Sequence, residues 1–225
     1  MSVIEAAGVS RTFRSASGEV HALQDVGFAV EAGEFVALIG RSGSGKTTLL
    51  NCLGGLDRPT AGRIVIAGRD LAELDDDGRT DLRRDTVAFV FQTFGLVPVL
   101  SAEENVELPL RLRRTPAPER RARVAEMLEL VGLAGHGRQR PGELSGGQQQ
   151  RVAIARALAG APAVLIADEP TGQLDAETGA QILGLLRDLS RSTGMTMLVS
   201  THDPSVRDRA DRVLVLQDGR LQPGG

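Results

Sequence analysis

Gly40-Arg41-Ser42-Gly43-Ser44-Gly45-Lys46-Thr47-Thr48 fits the pattern G-x-x-x-x-G-K-[ST], and its flanks decide how the chain should fold. Upstream, Glu34-Phe35-Val36-Ala37-Leu38-Ile39 reads as a buried strand, and downstream Thr47-Thr48-Leu49-Leu50-Asn51-Cys52-Leu53 reads as a helix that stops at Gly54-Gly55. Glycines let consecutive backbone N–H groups converge on an anion, and the positive end of the helix dipole faces the same point. In such a loop Lys46 neutralises β- and γ-phosphate oxygens and the Thr47 hydroxyl ligates Mg²⁺.

The basic residues sharpen this reading. Of 26 Lys and Arg side chains, Lys46 is the only lysine. Arginine is a broad planar fork, whereas lysine is a compact ammonium that fits a tight phosphate cradle. A lysine retained here alone points to chemistry that arginine cannot supply.

A second strand follows Pro162. Ala163-Val164-Leu165-Ile166-Ala167 carries Asp168-Glu169 to its carboxyl end, where nucleotide sites lie in open α/β sheets. Asp168 suits a contact to Mg²⁺, direct or through water, and Glu169 can reach an attacking water as general base. Between the two strands lies Leu144-Ser145-Gly146-Gly147-Gln148-Gln149-Gln150-Arg151. Ser145 and Gln148 stand at capping-box spacing, with Val152, Ala155 and Ala159 following at helical intervals. Gly146-Gly147 is a poor first helical turn unless a ligand must approach the backbone, so a capped helix and a γ-phosphate site are both open readings.

With these residues in order, the sequence resembles the nucleotide-binding domain of ABC transporters over essentially its whole length. The phosphate loop, Gln92, the Leu144–Gln148 signature, Asp168-Glu169, Thr171-Gly172-Gln173-Leu174-Asp175 and His202 occur in the family's order. The resemblance implies an α/β fold: a P-loop NTPase (RecA-like) core with an N-terminal antiparallel β-subdomain and an inserted α-helical subdomain. As a single ABC ATPase domain over 1–225, it would have its ATP-binding core in 1–93 and 161–225 and its helical signature subdomain in 94–160. It further implies a head-to-tail homodimer with two ATP molecules at the interface, each between one subunit's phosphate loop and the other's signature helix.

Site roles carry over residue by residue. Gly40, Arg41, Ser42, Gly43, Ser44, Gly45, Lys46, Thr47 and Thr48 would hold the phosphates, with Ser145, Gly146, Gly147 and Gln148 contributed across the dimer. Thr47 and Asp168 would serve Mg²⁺, Gln92 would contact Mg²⁺ or the attacking water and report occupancy to the lobe that follows, Glu169 would be the base, Asp175 would position groups across the interface and His202 would hold the γ-phosphate. The family stacks adenine on an aromatic residue near the N-terminus, often tyrosine, and this chain has neither Tyr nor Trp. Phe13, in Arg11-Thr12-Phe13-Arg14, keeps the stacking face and is the candidate platform, the alternative being that Phe13 caps the N-terminal sheet and adenine is held loosely. His21 and His136 match no motif and are expected on the surface.

The remaining segments suggest organisation. Short strands and turns are expected to about residue 93, then helices to about 160, with Ser101-Ala102-Glu103-Glu104 as a capping box and Pro109 kinking the helix it opens. Val124, Met127, Leu128 and Val131 repeat at helical spacing up to Gly132. Asp75-Asp76-Asp77-Gly78 reads as a solvated turn, and the arginines at 111, 113, 114, 120, 121 and 123 as a solvated helix face. Cys52 reads as a small buried hydrophobe. Phe94-Gly95-Leu96-Val97-Pro98, an apolar loop after Gln92, lies where the family docks its membrane partner, with Phe94, Leu96 and Val97 expected to be exposed. The wording from Phe91 to Leu110 looks like the LolD-like and MacB-like subgroup, whose permeases carry large extracytoplasmic domains.

Composition narrows the alternatives. A net charge of −3, from 26 basic and 29 acidic residues, argues against a nucleic-acid partner. No apolar run approaches the roughly 18 residues of a membrane span, and the start Met1-Ser2-Val3-Ile4-Glu5 lacks a leader pattern, so no direct membrane insertion is expected. The expected location is the cytoplasmic face of a bacterial cell membrane, held through a permease. The leading function is an ATPase subunit powering a separate permease of exporter or lipoprotein-release type. The alternative is the same motor transmitting force to a cell-envelope enzyme without moving solute.

Overall fold

A computed structural model describes residues 1–15, 18–202 and 204–222. In chain order the elements are β1 (Ser2–Ser15), β2 (Gly18–Glu31), β3 (Phe35–Ile39), α1 (Lys46–Leu53), β4 (Ala61–Ile66), β5 (Arg69–Asp70), α2 (Asp76–Asp85) and β6 (Val87–Val90). They continue with α3 (Ala102–Leu112), α4 (Ala117–Leu130), α5 (Gly146–Ala159), β7 (Val164–Asp168), α6 (Ala176–Thr193), β8 (Thr196–Thr201), β9 (Arg212–Gln217) and β10 (Arg220–Leu221). A six-stranded sheet has the order β10-β9-β3-β8-β7-β6, with β9 through β6 parallel. A four-stranded antiparallel sheet has the order β2-β1-β4-β5.

The alternation of side chains along the parallel strands explains the layering. In β3, Val36 and Leu38 join a core with α1 and the antiparallel sheet, while Phe35 and Ala37 join a second core with α3 to α6. In β7, Val164 and Ile166 follow the first pair, and Leu165 and Ala167 the second. Both faces of this sheet are therefore dry, which is why its strands read as unbroken apolar runs. Each fully buried Leu or Ile contributes about 1.5–3 kcal/mol relative to exposure.

Helix α1 is locked where it leaves the phosphate loop. Leu49, Leu50, Cys52 and Leu53 are buried, and burial pushes the Cys52 thiol up to about 12, consistent with an inert packing residue. Its end at Gly54 meets the Phe89 ring so closely that any Cβ there would overlap it. Helix α6 is capped at both ends, by Asp175 accepting from Thr178 N at 2.9 Å and by Gly194 at φ 66°. No helix among the described residues is long and apolar enough to cross a membrane.

Three expectations need correction. Asp75 is the N-cap of α2 and accepts from Gly78 N at 2.8 Å, so Asp75–Gly78 starts a helix. Strands β1 and β2 are long, 14 residues each, and bend through register shifts rather than breaking into short pieces. The expected solvated arginine face is largely structural: Arg113 donates to the carbonyls of Arg84 and Gly160, Arg123 to those of Leu158 and Ala159, and Arg111 and Arg120 pair with Glu107.

Candidate functional site

The carboxyl ends of β3, β7 and β8 meet at the amino end of α1. Gly43 and Gly45 adopt φ of 78° and 104°, conformations open to glycine, and Gly45 is the N-cap of α1 without any side-chain hydrogen bond. The first-turn amides of α1 are thus left for an anion. A Cβ on Gly45 would collide with the carbonyl of Ala22, so β2 presses directly against this turn. Ser44 is buried and its Oγ finds no hydrogen-bond partner among the described residues.

Lys46 curls over the loop. It is 7% exposed, and its Nζ donates to Gly40 O at 2.8 Å and Arg41 O at 3.3 Å and lies 3.2 Å from Glu169 Oε1. Glu169 Oε2 lies 2.8 Å from His202 Nδ1. One carboxylate therefore joins the lysine of the loop to the histidine beyond β8.

The position of Glu169 is set by Ser200. Asp168 and Ser200 are register partners across β7 and β8; Ser200 Oγ donates to Asp168 Oδ1 at 2.5 Å and accepts from Glu169 N at 3.0 Å. Glu169 sits at φ 46°, a left-handed conformation costing a non-glycine residue about 1 kcal/mol or more. Ser200 is fully buried and clamps both acids. A hydroxyl ending the apolar run Met197-Leu198-Val199 is the one sequence signal for it.

A cleft of about 960 Å³ gathers most of the anticipated residues: Arg41, Ser42, Gly43, Gly45, Lys46, Thr47, Thr48, Gln92, Glu169 and His202. Gly40 and Ser44 line an adjoining hollow with His202. Asp168 lies behind the cleft, held by Ser200. Ser145, Gly146, Gly147 and Gln148 do not line it. Ser145 and Gln148 instead cap α5 reciprocally, Gln148 N to Ser145 Oγ at 3.2 Å and Ser145 N to Gln148 Oε1 at 2.9 Å. Asp175 also lies outside; the N–H and hydroxyl of Thr178, at 2.9 and 2.7 Å, hold its carboxyl below the usual range.

Phe13 is exposed and is not among the residues that line the cleft, with Arg11, held by Asp57, 4.4 Å above its ring. His21 is exposed, as expected of a surface histidine, and lines the cleft beside Val20, Ala22 and Gln24 of β2. His136 lies elsewhere, 2.6 Å from Gln139 Oε1.

The loop after Gln92 also differs from expectation. Leu96 packs against the core and Phe94 is half-buried, whereas Phe91, Val97 and Val99 are the exposed apolar residues. The cause is Arg156 of α5, which donates to Phe94 O at 3.1 Å and Gly95 O at 2.6 Å and draws the loop inward. Alongside runs a groove of about 410 Å³ whose apolar lining includes Phe89, Phe91, Leu108, Pro109 and Leu112.

Comparison with known proteins agrees with this arrangement. A family model described as ABC transporter matches residues 23–172. The chain is 50% identical over 218 residues to the macrolide export ATP-binding/permease protein MacB of Rhodopseudomonas palustris (strain HaA2), covering 97% of this chain and 33% of that protein. It is 45% identical over 221 residues to an uncharacterized ABC transporter ATP-binding protein of Mycobacterium tuberculosis (strain ATCC 25618 / H37Rv), covering 98% of this chain and 89% of that one. Among solved structures, the dimeric ATP-binding cassette MJ0796 bound to ADP and Pi superposes with a TM-score of 0.90 at 43% identity, covering 97% of this chain and 96% of that one. The chain thus spans about a third of the length of the MacB relative.

Proposed function

Since the chain belongs to the ABC transporter family, as one of its ATP-binding, ATP-hydrolysing domains, we propose that it works as a head-to-tail ATP-sandwich homodimer powering a separate membrane permease. The observation that carries the reading is the Lys46–Glu169–His202 cluster above the uncapped start of α1. In this reading residues 1–93 and 161–225 form the ATP-binding core, and 94–160 the helical insert bearing the signature.

The chemistry follows from the residues. The amides of Gly43 to Thr48 and the Lys46 ammonium bind the phosphate chain and neutralise charge that grows on the β–γ bridge as it breaks. Glu169 accepts the proton of the water whose oxygen attacks the γ-phosphorus, and ADP leaves. His202 and Gln92 orient the γ-phosphate and the water. Asp175 and the Ser145 to Gln148 turn act across the dimer, where a capped helix start with bare glycines suits a second γ-phosphate contact.

The donor set fits Mg²⁺. The Thr47 hydroxyl and the Gln92 amide oxygen line the cleft as hard oxygen donors, and among the described residues no cluster of three His, Cys, Asp or Glu competes with a softer metal site. When bound, the ion supplies charge neutralisation at the β- and γ-phosphates. Asp168, orientated by Ser200, would hold its water shell.

The permease would dock in the groove of Phe89, Phe91, Leu108, Pro109 and Leu112, with Val97 and Val99 at its rim. Similarity to MacB, an export ATP-binding/permease protein, supports an exporter or lipoprotein-release type of partner with a large extracytoplasmic domain, and hence the cytoplasmic face of the bacterial membrane. The test is to purify the tagged chain from gently solubilised membranes and assay phosphate release. Magnesium-dependent ATP turnover together with a co-purifying permease is the expected result, and a chain that turns over no ATP with or without that partner would contradict it.

A further inference from the structure

Strands β6 and β7 are parallel neighbours with Val90 opposite Ala167, so the chain leaves both at the same level. Two residues beyond that pair stand Gln92 and Glu169, and both line the cleft. The loop after Glu169 closes at once. Gly172 N donates to Glu169 O at 3.0 Å, making a four-residue turn that begins at the left-handed Glu169 and ends at Gly172.

Gly172 is where the two loops touch. Its φ lies outside the left-handed region, so the backbone there would accept any L-residue. What calls for glycine is space. A Cβ at 172 would stand 2.8 Å from Gln92 Nε2 and 3.3 Å from its Cδ and Cγ, so the Gln92 side chain lies flat across the bare Cα. Gln92 is exposed, and no hydrogen bond among the described residues holds its carboxamide. Its loop is pinned further along, where Arg156 donates to the carbonyls of Phe94 and Gly95. The contact with Gly172 therefore fixes the direction of this side chain and ties it to the turn that places Glu169.

We propose that Gly172 is a positioning residue for Gln92. By lacking a Cβ it lets the carboxamide lie beside Glu169, so that one turn aligns both the base and the group that meets Mg²⁺ or the attacking water. The proposal rests on the ATP-hydrolysis reading above and adds to it a residue that does not itself line the cleft.

A double-mutant cycle on the full chain tests it, with phosphate release followed against magnesium concentration and melting temperature recorded for each variant. Gly172→Ala displaces only the end of a flexible side chain, so its melting temperature and ATP affinity should match the parent. Its turnover should fall about fivefold, and the magnesium concentration giving half-maximal turnover should rise. In a Gln92→Ala background the space is empty, and Gly172→Ala should change neither quantity further. Parental turnover in Gly172→Ala, or the same loss with Gln92 already removed, would overturn the proposal. Should Gly172→Ala fail to fold, the double variant decides: a folded chain with the turnover of Gln92→Ala upholds the contact, and an unfolded one overturns it. A parent chain that releases no phosphate from ATP and magnesium would contradict the ATP-hydrolysis reading itself and the proposal with it.

Discussion

Lys46 Nζ stands 3.2 Å from Glu169 Oε1, so the buried ammonium of the phosphate loop and the half-buried carboxylate beyond β7 form one ion pair. Lys46 also holds the carbonyls of Gly40 and Arg41, which fixes the curvature of the loop. Lysine can bridge these acceptors as a point charge, whereas arginine brings a planar fork into a space already walled by Glu169 and the loop backbone. Lys46→Ala and Lys46→Arg should each cut ATP hydrolysis by at least about tenfold, measured as steady-state phosphate release. Full activity in Lys46→Arg would show that only the charge matters.

Ser200 is a positioning residue for both acids. Its hydroxyl donates to Asp168 at 2.5 Å and accepts from Glu169 N at 3.0 Å while fully buried. Ser200→Ala keeps the volume but leaves Asp168 Oδ1 short of a partner and loosens the left-handed turn at Glu169. Turnover should fall with little change in ATP affinity. A compensating rise on raising magnesium concentration would locate the defect at Asp168, and unchanged turnover would remove Ser200 from this role.

Docking should follow the groove rather than the loop core. Leu112, 72% exposed, and Phe91, 38% exposed, line it. Changing both to Asp should abolish co-sedimentation with permease-containing membranes and spare basal ATP hydrolysis, because carboxylates replace the exposed apolar contact surface of a groove whose lining also includes Arg83, Arg84, Arg113 and Arg156, without touching the cleft. Leu96→Asp should instead unfold the insert, since Leu96 packs against the core. Retained co-sedimentation of the folded double variant would place the permease elsewhere.

Asp211 gives a pH signature. It accepts from Phe35 N at 2.9 Å and from Arg187 at 2.6 and 3.0 Å, and the guanidinium above all holds its carboxyl below the usual carboxylate range. A depressed folded pKa contributes stability that is present above the unfolded value near 4 and is lost as pH falls through the folded one. Asp211→Asn should therefore melt about 2–4 °C lower than the parent at pH 7, with the gap closing below about pH 4. A gap independent of pH would assign the loss to packing.

Much of this is legible in the sequence alone. The phosphate loop can be read because glycine spacing, Lys46 and the flanking apolar runs are local and mutually consistent. The capping of α5 by Ser145 and Gln148 can be read for the same reason. What escapes is tertiary. Helix α2 buries only Arg79 and Leu82, too few apolar positions to mark a period, so Asp75 reads as part of a turn. The arginines around α3 and α4 read as solvated because a guanidinium reaching the distant carbonyls of Gly160 or Leu158 leaves no trace in spacing. The place of His21 at the cleft escapes because that wall is built by contact between Ala22 and Gly45, residues on different sheet and loop elements.

Glu169 carries the central claim, since its carboxylate lies 2.8 Å from His202 Nδ1 and faces the same cleft as Gln92 and Thr47. An amide in its place keeps the shape but cannot accept the proton of the attacking water. The most direct measurement is single-turnover phosphate release by Glu169→Gln, with the oligomeric state followed by size-exclusion chromatography in ATP and magnesium. Hydrolysis should fall by about 10²–10⁴-fold with ATP binding retained and a nucleotide-loaded dimer accumulating. Near-parental phosphate release, with the variant still monomeric in ATP, would contradict the assignment of Glu169 as the base of an ATP-sandwich dimer.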